Sequence, residues 1–269
     1  LGRFKSYPTN SGIKKAIKRN QVLLNGKIGK TSDFVSGGER IQLLEPLLSK
    51  PKPVIDIPLQ VLFQDEYFAV INKPAGIEVS GNKKWTLENA LSNHISKSNL
   101  SDALNRAQPV HRLDYPTSGV LIVAKTASMV IALSKMFEHK EIQKYYLAIT
   151  IGAMPSAYAE IKEPVDEKPS HSTYKVIQSV ASPRFAQLNL VQLEPHTGRR
   201  HQLRKHMLHI GNPILGDLLY AKENLALKGK GLYLHAHKIE FKHPISDEAL
   251  SISAPIHAKF SKIFTEIEP

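Results

Sequence analysis

Asp114 stands two residues after Arg112 in the run His111-Arg112-Leu113-Asp114-Tyr115-Pro116-Thr117-Ser118-Gly119. A carboxylate near a fixed guanidinium is favoured in its charged form. A charged carboxylate suits a nucleophile better than a general acid. Taken alone, however, an Asp in a loop more often closes or caps a turn.

Two other clusters carry chemistry. The first follows Leu193-Glu194-Pro195-His196-Thr197-Gly198. A helix is predicted over 199–210, stopped by Gly211-Asn212-Pro213. Leu203, Met207 and Ile210 share one face of it, and Arg200 and Arg204, four apart, share another. Such arginines can pair a buried carboxylate or hold phosphates; a solvated face is the plain alternative. His201, His206 and His209 invite a metal. Yet His201 and His206 are five apart and point apart, and the helix holds no acid to complete a site, so no metal site is predicted. The second cluster is Lys144-Tyr145-Tyr146-Leu147-Ala148, which opens a strand. Adjacent strand residues face opposite sides of a sheet, so one tyrosine can point at a site while the other packs or meets solvent.

These residues need a scaffold. Pro116, Ser118 and Gly119 mark 111–119 as loop, and the β-branched run Val120–Ala124 after it reads as a buried strand. Residues 61–63, 67–72, 145–151, 173–180, 185–193, 232–241 and 251–254 are strand-like, and 86–95 and 127–139 are helical in pattern. Many strands, few helices and no βαβ alternation predict an α+β fold. It would have a large mixed or antiparallel sheet with flanking helices.

The first fifth of the chain has another texture. Residues 1–53 hold eleven Lys/Arg and three Asp/Glu, a net of +8 out of +12 for all 269 residues. Ile13, Ala16 and Ile17 form the apolar face of a short helix, with Lys14, Lys15, Lys18 and Arg19 around it; residues 1–12 read as loop. Asn25-Gly26 is a strong hairpin signal, Gly37-Gly38 a second turn, and 41–44 a further strand. A basic helix on a small hairpin can present cations to a phosphate backbone. The expected organisation is a small basic module over 1–46, a proline-containing linker over 47–58 and a larger domain over 59–269.

Hydrophobic residues make up 42% of the chain, enough for a packed core. Cysteine is absent, which excludes disulfides, zinc-thiolate sites and thiol nucleophiles and fits a reducing compartment. No apolar run approaches a membrane span and no secretory leader is visible. A cytoplasmic protein without membrane contact is expected. No coiled-coil pattern suggests an oligomer, so a monomer is expected.

Taken together, the motifs resemble the RluA family of RNA pseudouridine synthases. His111-Arg112-Leu113-Asp114 with Thr117-Ser118-Gly119 is similar to that family's signature loop. Its later motif is similar to Pro195, Thr197-Gly198-Arg199, His201-Gln202-Leu203-Arg204 and His206, followed by Gly211, Pro213-Ile214-Leu215-Gly216-Asp217 and Tyr220. Lys73-Pro74-Ala75-Gly76, Lys144–Ala148, Leu234-His235-Ala236 and His243-Pro244 also match, in the family's order. Residues 17–27 and 37–41 resemble the αL RNA-binding motif, with its first helix shortened or lost.

The resemblance implies an isomerase that turns uridine into pseudouridine in ribosomal or transfer RNA, without metal or small-molecule cofactor. It makes Asp114 the nucleophile, by attack on C6 of the base or C1′ of the sugar. It makes Tyr146 a residue that stacks on uracil and helps remove the C5 proton. Arg204 becomes the partner of the nucleophile, and Arg112 the residue that fills the gap left by a flipped-out base. The cationic helix face makes Lys14, Lys15, Lys18 and Arg19 candidate RNA contacts, while His111 is expected to be scaffolding and Leu113 and Leu121 core. Lys73 is either an RNA contact or part of a structural turn. The alternative from another class is a non-catalytic RNA-binding or RNA-folding protein, which needs no combination of Asp114, Tyr146 and Arg204. A hydrolase using Asp114 would require a partner acid, which the loop does not supply.

Overall fold

The computed structural model describes residues 10–44, 53–221, 225, 227 and 229–265. At the N-terminal end, α1 (Asn10–Lys18) is followed by β1 (Val22–Leu24), β2 (Lys27–Ile28) and β3 (Ile41–Leu43), paired antiparallel in the order β2-β1-β3. Asn25 and Gly26 both take positive φ, 50° and 79°, and so form the tight turn that a two-residue hairpin requires. Ala16 is buried and Ile13 and Ile17 are half-buried, whereas Lys14, Lys15, Lys18 and Arg19 are all exposed. The helix begins earlier than the loop reading of residues 1–12 allows. Asn10, Ser11 and Gly12 form its first turn. Residues 1–9 lie outside the described residues, as do 47–52 of the expected linker. Residues 53–58 form no helix or strand, but Ile55 is buried against Ile77 and Ala90 and its N–H donates to the Asn89 carbonyl.

The rest of the chain is α+β. In order it forms β4 (Gln60–Gln64), β5 (Phe68–Lys73), α2 (Leu87–Ala90), β6 (Ala103–Pro109), β7 (Ser118–Thr126), α3 (Ala127–Glu138), β8 (Gln143–Ile151), β9 (Tyr158–Ile161), β10 (Ser172–Ser182), β11 (Ala186–Pro195), α4 (Gln202–His209), β12 (Leu234–Lys242), β13 (Ala249–Ser253) and α5 (Ala258–Ser261). The ten strands make one sheet in the order β4-β5-β7-β12-β8-β11-β10-β9, with β6 added on β7 and β13 on β12. Every pairing is antiparallel except β7 with β12. That parallel contact sits at the middle of the sheet.

β7 is buried along its whole length, with an apolar run over Val120–Ala124, because both of its faces are covered. Val120, Ile122 and Ala124 pack with Met129, Val130 and Leu133 of α3. Leu121 and Val123 pack on the other side with Leu87, Leu91 and Leu113. Thr126 caps α3 by accepting from the Met129 N–H. The predicted loop over 111–119 ends earlier: Ser118 and Gly119 already belong to β7, paired with His235 and Ala236 of β12. The helix predicted over 86–95 is one short turn, α2, that tightens into a 3-10 turn at Leu91–Asn93.

Candidate active site

The Asp114 loop is held from four directions. The His111 ring nitrogen Nε2 accepts the Ile122 N–H at 2.9 Å, and the ring lies 4.7 Å from the Phe137 ring. Burial keeps this imidazole neutral, pushed down to about 3. Leu113 is buried in the core. The Thr117 N–H returns to the Asp114 carbonyl at 3.0 Å, closing the turn. Lys73, fully buried at the end of β5, donates to the Pro74 and Thr117 carbonyls at 2.9 and 2.8 Å, with those of Asp114 and Tyr115 at 3.4 Å. Lys73 is therefore a clamp on the loop. Burial lowers its ammonium to about 8, against the pull of the Asp114 charge.

Behind the loop, Ser118 Oγ meets His235 Nδ1 at 2.9 Å. Gly119, at φ 115°, lies so close to the Ala236 backbone that a Cβ would overlap it. The loop is thus fixed to the one parallel junction of the sheet.

The other wall comes from the turn before α4. Residues 199–201 are not helical, contrary to the predicted 199–210. Gln202 explains the late start: its side-chain oxygen accepts from the Arg199 N–H at 3.0 Å and from the Thr197 hydroxyl at 2.6 Å, while its amide donates to the His171 carbonyl and Ser172 Oγ. These bonds pin a turn where a further helical turn would have run. Arg200 is left exposed in the turn and does not share a helix face with Arg204. His201 takes left-handed backbone at φ 55°, a rare setting for a residue with a side chain. Its Nδ1 meets the Tyr220 hydroxyl at 2.7 Å and its Nε2 comes to 3.7 Å from Asp114 Oδ1. Burial, then Arg204 and Arg200, lower this imidazole against the opposing pull of Asp114.

Arg204 is buried. Its Nε and Nη2 each donate to Asp217 at 2.7 Å, and its Nη1 stands 3.7 Å from Asp114 Oδ2. Asp217, 1% exposed, also accepts the Leu219 and Tyr220 N–H groups. Arg204 further lies over the Tyr220 ring. Among the described residues, neither carboxylate oxygen of Asp114 accepts a hydrogen bond. The two aspartates differ accordingly: Asp217 is saturated with donors, and Asp114 keeps its lone pairs free.

Tyr146, not Tyr145, faces this place. Tyr146 pairs with Leu193 and Ala236 across the sheet and lines the same cavity as Asp114. Tyr145 points the other way, its hydroxyl bonded to Gln143 and Glu240. Burial and the Asp114 charge push the Tyr146 phenol up, so it holds its proton at neutral pH.

Asp114, Arg112, Tyr146 and Arg204 therefore meet on one cavity of about 670 Å³. Its lining also includes Lys140, Lys144, Arg199, Arg200 and His201. The helix-α1 cations lie outside it. Sequence reading singled out neither Asp217 nor His201 as a site residue. The signal for Asp217 was a single acid directly after the apolar run Pro213-Ile214-Leu215-Gly216. His201 Nδ1 is turned to Tyr220 and His206 Nε2 to Ser170 and the Glu163 carbonyl. Among the described residues no group of three His, Asp or Glu side chains is placed to hold a metal ion.

A free carboxylate in a cavity ringed by cations is a place for a nucleotide within a polyanion. The comparisons with known proteins agree with that class. Residues 67–209 match the family model described as RNA pseudouridylate synthase. A protein from Xanthomonas campestris pv. campestris named ribosomal large subunit pseudouridine synthase D is 33% identical over 284 residues, covering 96% of this chain and 85% of its own. Its namesake from Escherichia coli K12 is 32% identical, covering 92% and 83%. The solved structure of human RNA pseudouridylate synthase domain containing 1 has the same fold, with a TM-score of 0.61 at 24% identity over 74% of this chain and 83% of that one. This chain belongs to the RNA pseudouridine synthase family, of the RluA kind. Its members are isomerases that convert uridine to pseudouridine in RNA.

Proposed function

We propose that Asp114 is the nucleophile of this isomerisation and that the substrate is large-subunit ribosomal RNA. The observation that carries the first part is the free carboxylate of Asp114 on the cavity it shares with Tyr146 and Arg204. The names of the relatives support the second. A stacked uridine hides its glycosidic bond, so the target base leaves the helix and enters the cavity. Arg112, exposed at the cavity wall, fills the gap behind it.

Asp114 attacks the bound nucleotide and the bond from C1′ to N1 breaks. The freed uracil turns, C5 bonds to C1′, and the carboxylate is released. The C5 proton leaves to water and N1 gains one, so the reaction is atom-neutral. Tyr146 offers a neutral ring on which the uracil can stack while it turns, together with a phenolic O–H donor. Arg204, immobilised by Asp217, supplies a fixed positive charge beside the attacking carboxylate.

The basic unit over 1–46 adds phosphate contacts through Lys14, Lys15, Lys18 and Arg19, ahead of the catalytic domain over 59–269, and the chain acts as a cytoplasmic monomer. The test is tritium release from total cellular RNA labelled at uridine C5, taken from a strain lacking this gene, with the modified position mapped afterwards. Release that maps to the large-subunit RNA is expected. Release that maps only to transfer RNA would overturn the substrate.

A further inference from the structure

Lys144 lines the catalytic cavity but has no part in the reading so far. It stands two residues before Tyr146 on β8, so the two side chains leave the same face of the strand, roughly 7 Å apart along it. Tyr145, between them, faces away. Lys144 is only half exposed, yet among the described residues its ammonium makes no hydrogen bond and no ion pair. Glu194 attracts it from a distance and Lys140 repels it. Burial lowers its ammonium below the ordinary lysine range. An unpaired, partly desolvated cation is costly to keep, and a fixed anion would remove that cost. The partner that a nucleotide brings to this distance from its base is a backbone phosphate.

We propose that Lys144 is a phosphate-binding residue that takes the RNA phosphate adjoining the target uridine and thereby seats the uracil on Tyr146. This rests on the uridine-isomerase reading of the cavity. Arg199, Arg200 and Lys140 are exposed at the same cavity and hold more distant phosphates loosely. Lys144 differs in being set into the wall, where one phosphate position satisfies it.

The test compares wild type, Lys144→Gln and Lys144→Arg on C5-tritiated total cellular RNA, taken from a strain lacking this gene, across a salt series. Filter retention of the same RNA is measured alongside. Lys175→Gln is the control, because Lys175 is exposed and pairs through Gln192 to Leu147 on the opposite sheet face from Tyr146. Lys144→Gln is expected to raise KM about ten-fold with kcat changed far less. It should also flatten the log–log salt dependence of binding by roughly 0.7 to 0.9, one phosphate's share. Lys144→Arg should restore most of both, and Lys175→Gln should match wild type. An unchanged salt slope and KM in Lys144→Gln would overturn the proposal, as would a fall confined to kcat. A wild type that releases no tritium would refute the isomerase reading, while the binding slope would still decide whether Lys144 holds a phosphate.

Discussion

Arg204 gives two 2.7 Å hydrogen bonds to Asp217 and stands 3.7 Å from Asp114. The guanidinium is bound to Asp217 and only adjoins Asp114, the proposed nucleophile. A tight pair with Asp114 would occupy the lone pairs that a nucleophile needs. With Asp217 taking the bidentate bond, Arg204 is fixed in position and Asp114 stays open. On the proposed mechanism Asp217 is a positioning residue, acting through Arg204.

Asp217→Asn should therefore damage both stability and turnover. It breaks a buried ion pair, a change that costs on the order of 3 kcal/mol or more. Thermal unfolding should show a clearly lower Tm. At a temperature where the variant stays folded, kcat should fall more than KM rises, because Arg204 loses its orientation. Unchanged kcat in a folded Asp217→Asn variant would refute the positioning role.

The site's histidines set a pH limit. Burial pushes His111 down to about 3 and His235 down to about 4 from an ordinary value near 6.5. Between those values and about 6.5 the unfolded chain binds protons that the folded chain does not. Stability therefore rises with pH across that window: it is full above about 6.5 and is lost progressively as pH falls toward 4. His111 also accepts the Ile122 N–H, a bond that protonation removes. Denaturant unfolding followed from pH 7.5 to 4.5 should show the fall, and His235→Asn should make it shallower. A flat profile in wild type would contradict this account of the two rings.

Gly119 tests the parallel junction that carries the loop. Its φ of 115° and its contact with the Ala236 backbone leave no room for a methyl group. Gly119→Ala should separate β7 from β12 and give a protein that is insoluble or markedly less stable. A Gly119→Ala variant with the wild-type Tm would show that the junction is looser than described.

Deleting residues 1–46 should weaken RNA binding and reduce its salt dependence, since phosphate contacts release counterions. Filter retention over a salt series measures both. An unchanged slope would show that Lys14, Lys15, Lys18 and Arg19 do not touch RNA.

That Asp114, Tyr146 and Arg204 belong to one candidate site was legible from motifs that are each local in sequence, and the three line one cavity. The β7 run and the Asn25-Gly26 hairpin were legible for a plainer reason: local pattern and tertiary role agree there. What was not legible depends on contacts between distant segments. The late start of α4 follows from the Gln202 side chain reaching Thr197, Arg199, His171 and Ser172. Alternation in a strand left open which of Tyr145 and Tyr146 faces the cavity; the resemblance pointed to Tyr146, and sheet register turns Tyr146 to it. β6 carries Asn105, Arg106 and Gln108 without clean alternation and pairs with β7 across a register shift, so it has no strand signature. β9 is a four-residue strand at the end of the sheet path, too short to show a period. Asp217 stood in the matched motif without a role, because its partner Arg204 lies 13 residues earlier and meets it only in the fold.

The measurement that bears most directly on the central claim is tritium release from C5-labelled ribosomal RNA by wild type and by Asp114→Asn, with RNA affinity measured on both. Asn keeps the size and shape of Asp but is no carboxylate nucleophile. Release by wild type and none above background by Asp114→Asn, at nearly equal affinity, is the predicted result. Continued release by Asp114→Asn at a rate near wild type would contradict the assignment of Asp114.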